Sequence, residues 1–166
     1  FAELLKTAAT KPKDIRPLAD GFNIVIAQKI PCHGQRISQL IASQVLGNKL
    51  FEPYNSMLSK MEQAEKEFFG DKTTPLFNWD CDTIVQIFKD AGFNVAFQVE
   101  TMIEKRRLTK REIANWFNLE SSAYAVAIAK AIGDASVAKL SSLLENASET
   151  TIFNWETEIA FLTVSM

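Results

Sequence analysis

The chain has 166 residues, 47% of them hydrophobic and 23% charged, and a formal net charge of −2. That length suits a single domain spanning residues 1–166 with its own core, and the composition is ordinary for a globular fold. The charge excludes a global attraction for nucleic acid or anionic membrane, so any such contact must come from a local patch.

Cys32 and Cys81 stand 49 positions apart. They set no disulfide framework, which points to a reducing, cytoplasmic setting. No apolar run nears the ~20 residues that a spanning helix needs, and no charged-then-apolar leader opens the chain. The start at Phe1 and the apolar finish at Met166 read as a piece of a longer polypeptide.

Residues 2–9 carry a short helical pattern, closed by Lys11-Pro12-Lys13. Pro17 and Asp20-Gly21 mark a turn. The apolar run at 22–27 then predicts a strand covered on both faces. From Gln35 the apolar residues Ile37, Leu40, Ile41 and Val45 recur at helical steps, with Gly47-Asn48 as a stop.

A second helix is predicted from Tyr54 to Phe69. Its inward stripe runs through Met57, Leu58, Met61, Ala64, Glu65 and Phe68. Asp80 or Asp82 can cap a third, whose stripe is Ile84, Ile87, Phe88 and Ala91 and whose stop is Gly92. Residues 93–100 alternate strictly and predict a half-buried edge strand with Phe93, Val95, Phe97 and Val99 inward. Thr109 to Glu112 has the spacing of a capping box and opens a short helix. A longer helical region follows from Ser122 to about Leu144, interrupted near Gly133. The closing segment 151–166 ends in a run, Ile159 to Val164, that is apolar on both faces and predicts a central strand. The sum is an α/β chain with helices dominating a small mixed sheet of about three strands.

Asp90-Ala91-Gly92-Phe93-Asn94-Val95, with a terminal strand after it, resembles the closing half of a class I methyltransferase domain, a Rossmann-like fold. The resemblance implies that the last strand inserts antiparallel between the other two. A narrower resemblance rests on residues 24–36, Phe77-Asn78-Trp79-Asp80, Ala91-Gly92-Phe93, Lys105-Arg106-Arg107-Leu108-Thr109, Trp116-Phe117 and Tyr124. These residues are similar to a module fused behind the replication-associated recombination AAA+ ATPase (MgsA/RarA type) in some bacteria. That likeness implies a non-catalytic accessory role in DNA replication and recombination, with the ATPase in the same polypeptide as partner. The alternative it leaves is the remnant of an S-adenosylmethionine-dependent methyltransferase whose cofactor-binding half lies outside these residues.

Six glycines stand singly and form no G-x-G, and no phosphate-binding G-x-x-x-x-G-K-[ST] occurs. Neither a bound cofactor nor catalysis by this chain alone is expected. Cys32-His33 reads as an ordinary loop, because adjacent extended residues point apart and no third group orients them. With a single histidine in the chain, a metal site lacks ligands.

Gln35 and Arg36 open a helix directly after a strand. An anion can sit there, or Arg36 can pair with a local carboxylate. Lys105, Arg106, Arg107, Lys110 and Arg111 place five cations between positions 105 and 111. They form either a solvated basic turn, a phosphate contact or a protein contact. Trp116 and Phe117 lie on the apolar side of their helix with Ile113 and read as core, and Trp155 reads as a packing anchor. A strand edge left open at 22–27 invites either a homodimer through that edge or a covering by chain from the absent half.

Overall fold

The computed structural model describes residues 23–47, 54–74, 77 and 79–165. The helix expected at 2–9 lies outside the described residues. Three strands form one sheet: β1 (Asn23–Lys29), β2 (Asn94–Arg106) and β3 (Phe153–Ser165). Their order is β1–β3–β2. β3 pairs antiparallel with both neighbours, from Asn23↔Ser165 to Lys29↔Ile159 on one side and from Asn94↔Ser165 to Arg106↔Phe153 on the other. The sheet is therefore antiparallel at every pairing rather than mixed. The terminal strand sits in the centre, as expected.

Helices outweigh strands. After β1 come a short 3₁₀ turn, α1 (Ile37–Leu40) and a π turn over Ile41–Val45; α2 (Tyr54–Gly70) and α3 (Cys81–Asp90) follow. Behind β2 lie α4 (Lys110–Trp116), α5 (Ala123–Ile132) and α6 (Asp134–Ser148). The break between α5 and α6 falls at Gly133, whose φ of 83° and ψ of 151° suit glycine alone. α4 opens on a complete capping box: Thr109 Oγ1 accepts from Glu112 N, and Glu112 Oε2 accepts from Thr109 N.

The two covers of the sheet lie on opposite faces and at opposite ends. Side chains alternate along a strand, so Phe153 and Trp155 point one way and Ala160, Leu162 and Val164 the other. Phe153 is buried in the helical cluster with Leu40, Met61, Ile113, Ile128, Leu140 and Leu144. Ala160 and Leu162 instead pack against Cys81 and Val85 of α3, with Ile26 and Val95 from the flanking strands. Each fully buried aliphatic side chain contributes roughly 1.5–3 kcal/mol, so the helical cluster holds most of the stability.

This arrangement corrects two expectations. β1 is not covered on both faces: Val25 is 70% exposed, because among the described residues only α3 lies over that end of the sheet, on the other face. β2 does not stop at Glu100 but runs to Arg106, and Phe97, Val99, Met102 and Ile103 are all exposed on it. Where β1 ends, the open edge of β3 is closed by other groups. Ile30 N donates to Glu158 O (2.9 Å) and Glu156 N to Gln35 Oε1 (3.0 Å). The Gln44 amide both donates to Asn154 O and accepts from Asn154 N, each at 2.8 Å. Two side-chain amides thus stand in for a missing strand.

α3 depends on its cap. Asp80 Oδ1 accepts from Thr83 N (2.9 Å) and Thr83 Oγ1 (2.6 Å), and Lys72 Nζ reaches Oδ2 (3.1 Å). The Thr83 hydrogen bonds, with Lys72 behind them, hold the Asp80 carboxyl far below its usual range. A depressed folded-state value means that the contribution is present above about pH 4 and is lost as pH falls below it. Asp80→Asn keeps a good cap but removes this titration. Urea denaturation at neutral pH and at about pH 3 is expected to show a smaller acid loss in the variant than in the parent chain. Equal losses would remove Asp80 from the acid limb.

Candidate functional site

The most buried charge in the described chain is the carboxylate of Glu65, fully enclosed on α2. A carboxylate in that position is stable only if hydrogen bonds replace its water. Ile37 N donates to Oε1 (2.9 Å), Ser38 N lies 3.4 Å from both oxygens, and the Ser38 hydroxyl donates to Oε2. Tyr124 OH donates to Oε1 at 2.6 Å. Glu65 therefore ties α2 to the first N–H groups of α1 and to α5. Burial, reinforced by the Glu65 charge, holds the Tyr124 phenol well above its usual value.

This settles what sits at the start of the helix after β1. The anion there is internal: Glu65 takes the N–H groups that an external ion would need. Among the described residues Arg36 bonds no carboxylate. Its guanidinium donates to the carbonyls of Cys32 and Gly34 and stacks over Phe69, 4.1 Å from the ring centre. Burial pulls its pKa below the ordinary value, and Glu65 nearby opposes that pull. Gln35 is likewise committed, donating to Arg36 O and accepting from Glu156 N. Cys32 and His33 do point apart. Cys32 Sγ faces Trp79 O (3.7 Å) and His33 Nδ1 faces Glu158 Oε2 (2.7 Å).

Beside this network opens a cleft of ≈ 620 Å³. Its walls come from the segment after β1, the end of α2, Phe77, α4, the start of α5, and β3. Phe69 and Phe77 meet edge to face, 5.1 Å between ring centres, and Phe68 stands edge-on to Tyr124 at 5.7 Å. On the opposite wall Trp116 and Trp155 lie 5.6 Å apart at an angle of 34°. Arg106 stands over the Trp155 ring at 4.7 Å and pairs with Glu112. Lys29 and Arg106 are the only charged residues among those described that line the cleft, and both are cations.

The basic segment is not a single turn. Lys105 and Arg106 end β2, Arg107 lies in the connection, and Lys110 and Arg111 begin α4. Lys110 bonds Glu149 at 2.6 Å, which raises its pKa. Lys105, Arg107 and Arg111 are exposed and make no ion pair among the described residues. Phe117 is core, as expected; Trp116 and Trp155 are half-buried, packed against the same helical cluster, and also line the cleft.

The sequence marked Gln35, Arg36 and the basic segment but missed Lys29, Phe69, Phe77 and Trp155 as cleft residues. One signal was legible: Glu65 occupies an inward position of its helix stripe, where a carboxylate has to serve a purpose. No protein-family model, curated protein or solved structure matches the chain.

Glu65→Ala orphans several buried donors, at about 1–3 kcal/mol each before relaxation. Urea denaturation is expected to show a loss of about 3 kcal/mol or more. The raised folded-state value of Tyr124 adds stability that is complete below about pH 10 and is lost as pH rises beyond it. Tyr124→Phe is expected to flatten that alkaline decline in thermal melts. An unchanged decline would show that Tyr124 does not carry it.

Proposed function

We propose that this chain is a non-catalytic accessory module of a larger protein and that it works by contact through its open sheet. The observation that carries this reading is β2: thirteen residues long, paired on one side only among the described residues, and studded with exposed Phe97, Val99, Met102 and Ile103. A long apolar edge offers backbone donors and acceptors to another strand. The resemblance to the module behind the replication-associated recombination AAA+ ATPase supplies the setting, with the ATPase portion of the same polypeptide as the partner in cis. The central position of β3 fits instead the resemblance to the closing half of a methyltransferase domain, which implies a last strand between the other two. Among the described residues neither edge strand has an outer neighbour; β2 is the longer one.

The occupant that β2 suits best is a second copy of itself. In antiparallel pairing about a two-fold axis, directly opposed residues share a face, so their numbers must differ by an even step. Centring the register on Thr101 sets Val99 opposite Ile103, Gln98 opposite Glu104, Phe97 opposite Lys105 and Glu100 opposite Met102. No like charges then face each other directly. Shifting the centre to Glu100 opposes that carboxylate to itself, and shifting it to Met102 opposes Glu100 to Glu104. Like charges so placed are destabilising.

A second reading, contact with DNA, is favoured by the exposed cations at Lys105, Arg107 and Arg111 at the foot of the same strand. Each phosphate contact there would add a salt-dependent increment of affinity.

Sedimentation equilibrium tests the main reading. The chain is expected to form a dimer that Ile103→Lys dissociates, with the fold retained by circular dichroism. A monomer at all concentrations, or a dimer indifferent to Ile103→Lys, would rule out this edge as the interface.

A further inference from the structure

We propose that the aromatic cleft receives the bases of single-stranded nucleic acid, stacked on the Trp116–Trp155 pair, with the phosphates held by Lys29, Arg106 and the basic segment beyond. This inference rests on the nucleic-acid reading of residues 105–111 and names the residues that recognise the strand.

Three observations meet here. The cleft of ≈ 620 Å³ is lined by aromatic side chains of α2, α4, α5 and β3 and by Phe77. Its only charged lining residues among those described are cations, Lys29 without an ion pair among them and Arg106 shared with Glu112, so an anion finds an uncompensated charge at Lys29. Arg106 belongs at once to the cleft, through its place over Trp155, and to the basic segment, as the last residue of β2. The stacking surface and the phosphate contacts are therefore continuous.

Every base has a π face, so aromatic platforms beside a basic track hold single strands without reading their sequence. In a duplex the base faces are already stacked on one another and the bases cannot enter. A lone nucleotide gains a single stack and few phosphate contacts, whereas a strand gains several of each. An acidic peptide would satisfy the cations but leave the ring faces unused. The half-exposure of Trp116, which its helix pattern had placed in the core, is explained by such a ligand.

The test uses the whole chain and a fluorescein-labelled oligo-dT of about a dozen nucleotides, followed by polarisation at low salt. Unlabelled competitors are a duplex of equal length and adenosine monophosphate. The expected results are binding of the single strand, quenching of tryptophan emission, and poor competition by duplex or mononucleotide. Trp116→Leu and Arg106→Gln are each expected to weaken binding about tenfold, while Trp116→Phe largely restores it. The quenching, read on the unaltered chain, does not depend on any variant folding.

Binding that is lost on joint replacement of Lys105, Arg107 and Arg111, yet shows no quenching and ignores Trp116→Leu, would leave the basic segment as the contact and overturn the cleft. Equal competition by duplex or by mononucleotide would overturn the single-strand assignment. No binding at low salt would overturn both the cleft and the nucleic-acid reading beneath it.

Discussion

The structure depends on a constraint carried by β3. Each end of this thirteen-residue strand is buried on a different face: Phe153 under the helical cluster, Ala160 and Leu162 under α3. A strand can serve two covers only because alternation gives it two faces. The consequence is that each cover leaves the opposite face of its own half without one among the described residues. The exposure of Val25 on one face and of Ile103 on the other follows from that geometry rather than from any weakness in the apolar pattern.

The cleft lies near the crossover between the covers. β1 ends at Lys29, halfway along β3, and the chain leaves the sheet through the turn to α1. Ile30, Gln35 and Gln44 satisfy the backbone that β1 leaves behind. Glu65 fixes the start of α1, and Tyr124 places α5 against it. Aromatic side chains from five segments then border one space. A network this fully bonded holds its walls in place.

Features governed by near neighbours were legible in the sequence. The Asp80 cap, the Thr109–Glu112 box, the break at Gly133 and the stop at Gly92 each depend on residues a few positions apart. The strand–helix order followed from periodicity. Features governed by what packs above were not legible. The run at 22–27 looks the same whether one face or both are covered, and only the placement of α3 decides. The second half of β2 was hidden because Glu100, Glu104, Lys105 and Arg106 give it no inward face to alternate with. Trp116 and Phe117 are adjacent on one helix, yet one lines the cleft and the other fills the core. The difference is set by Trp155, thirty-eight residues and more away in sequence.

Contact through an open sheet rather than chemistry within it is the central claim, and hydrogen exchange of the backbone amides measures it most directly. The chain is compared at low and at high protein concentration. The amides of β3, bonded on both sides, are expected to exchange slowly at either concentration. Those of β2 that point away from β3 are expected to exchange quickly when dilute and to gain protection as concentration rises. Fast exchange along Asn94–Arg106 at every concentration, or protection already complete in the dilute monomer, would contradict the account.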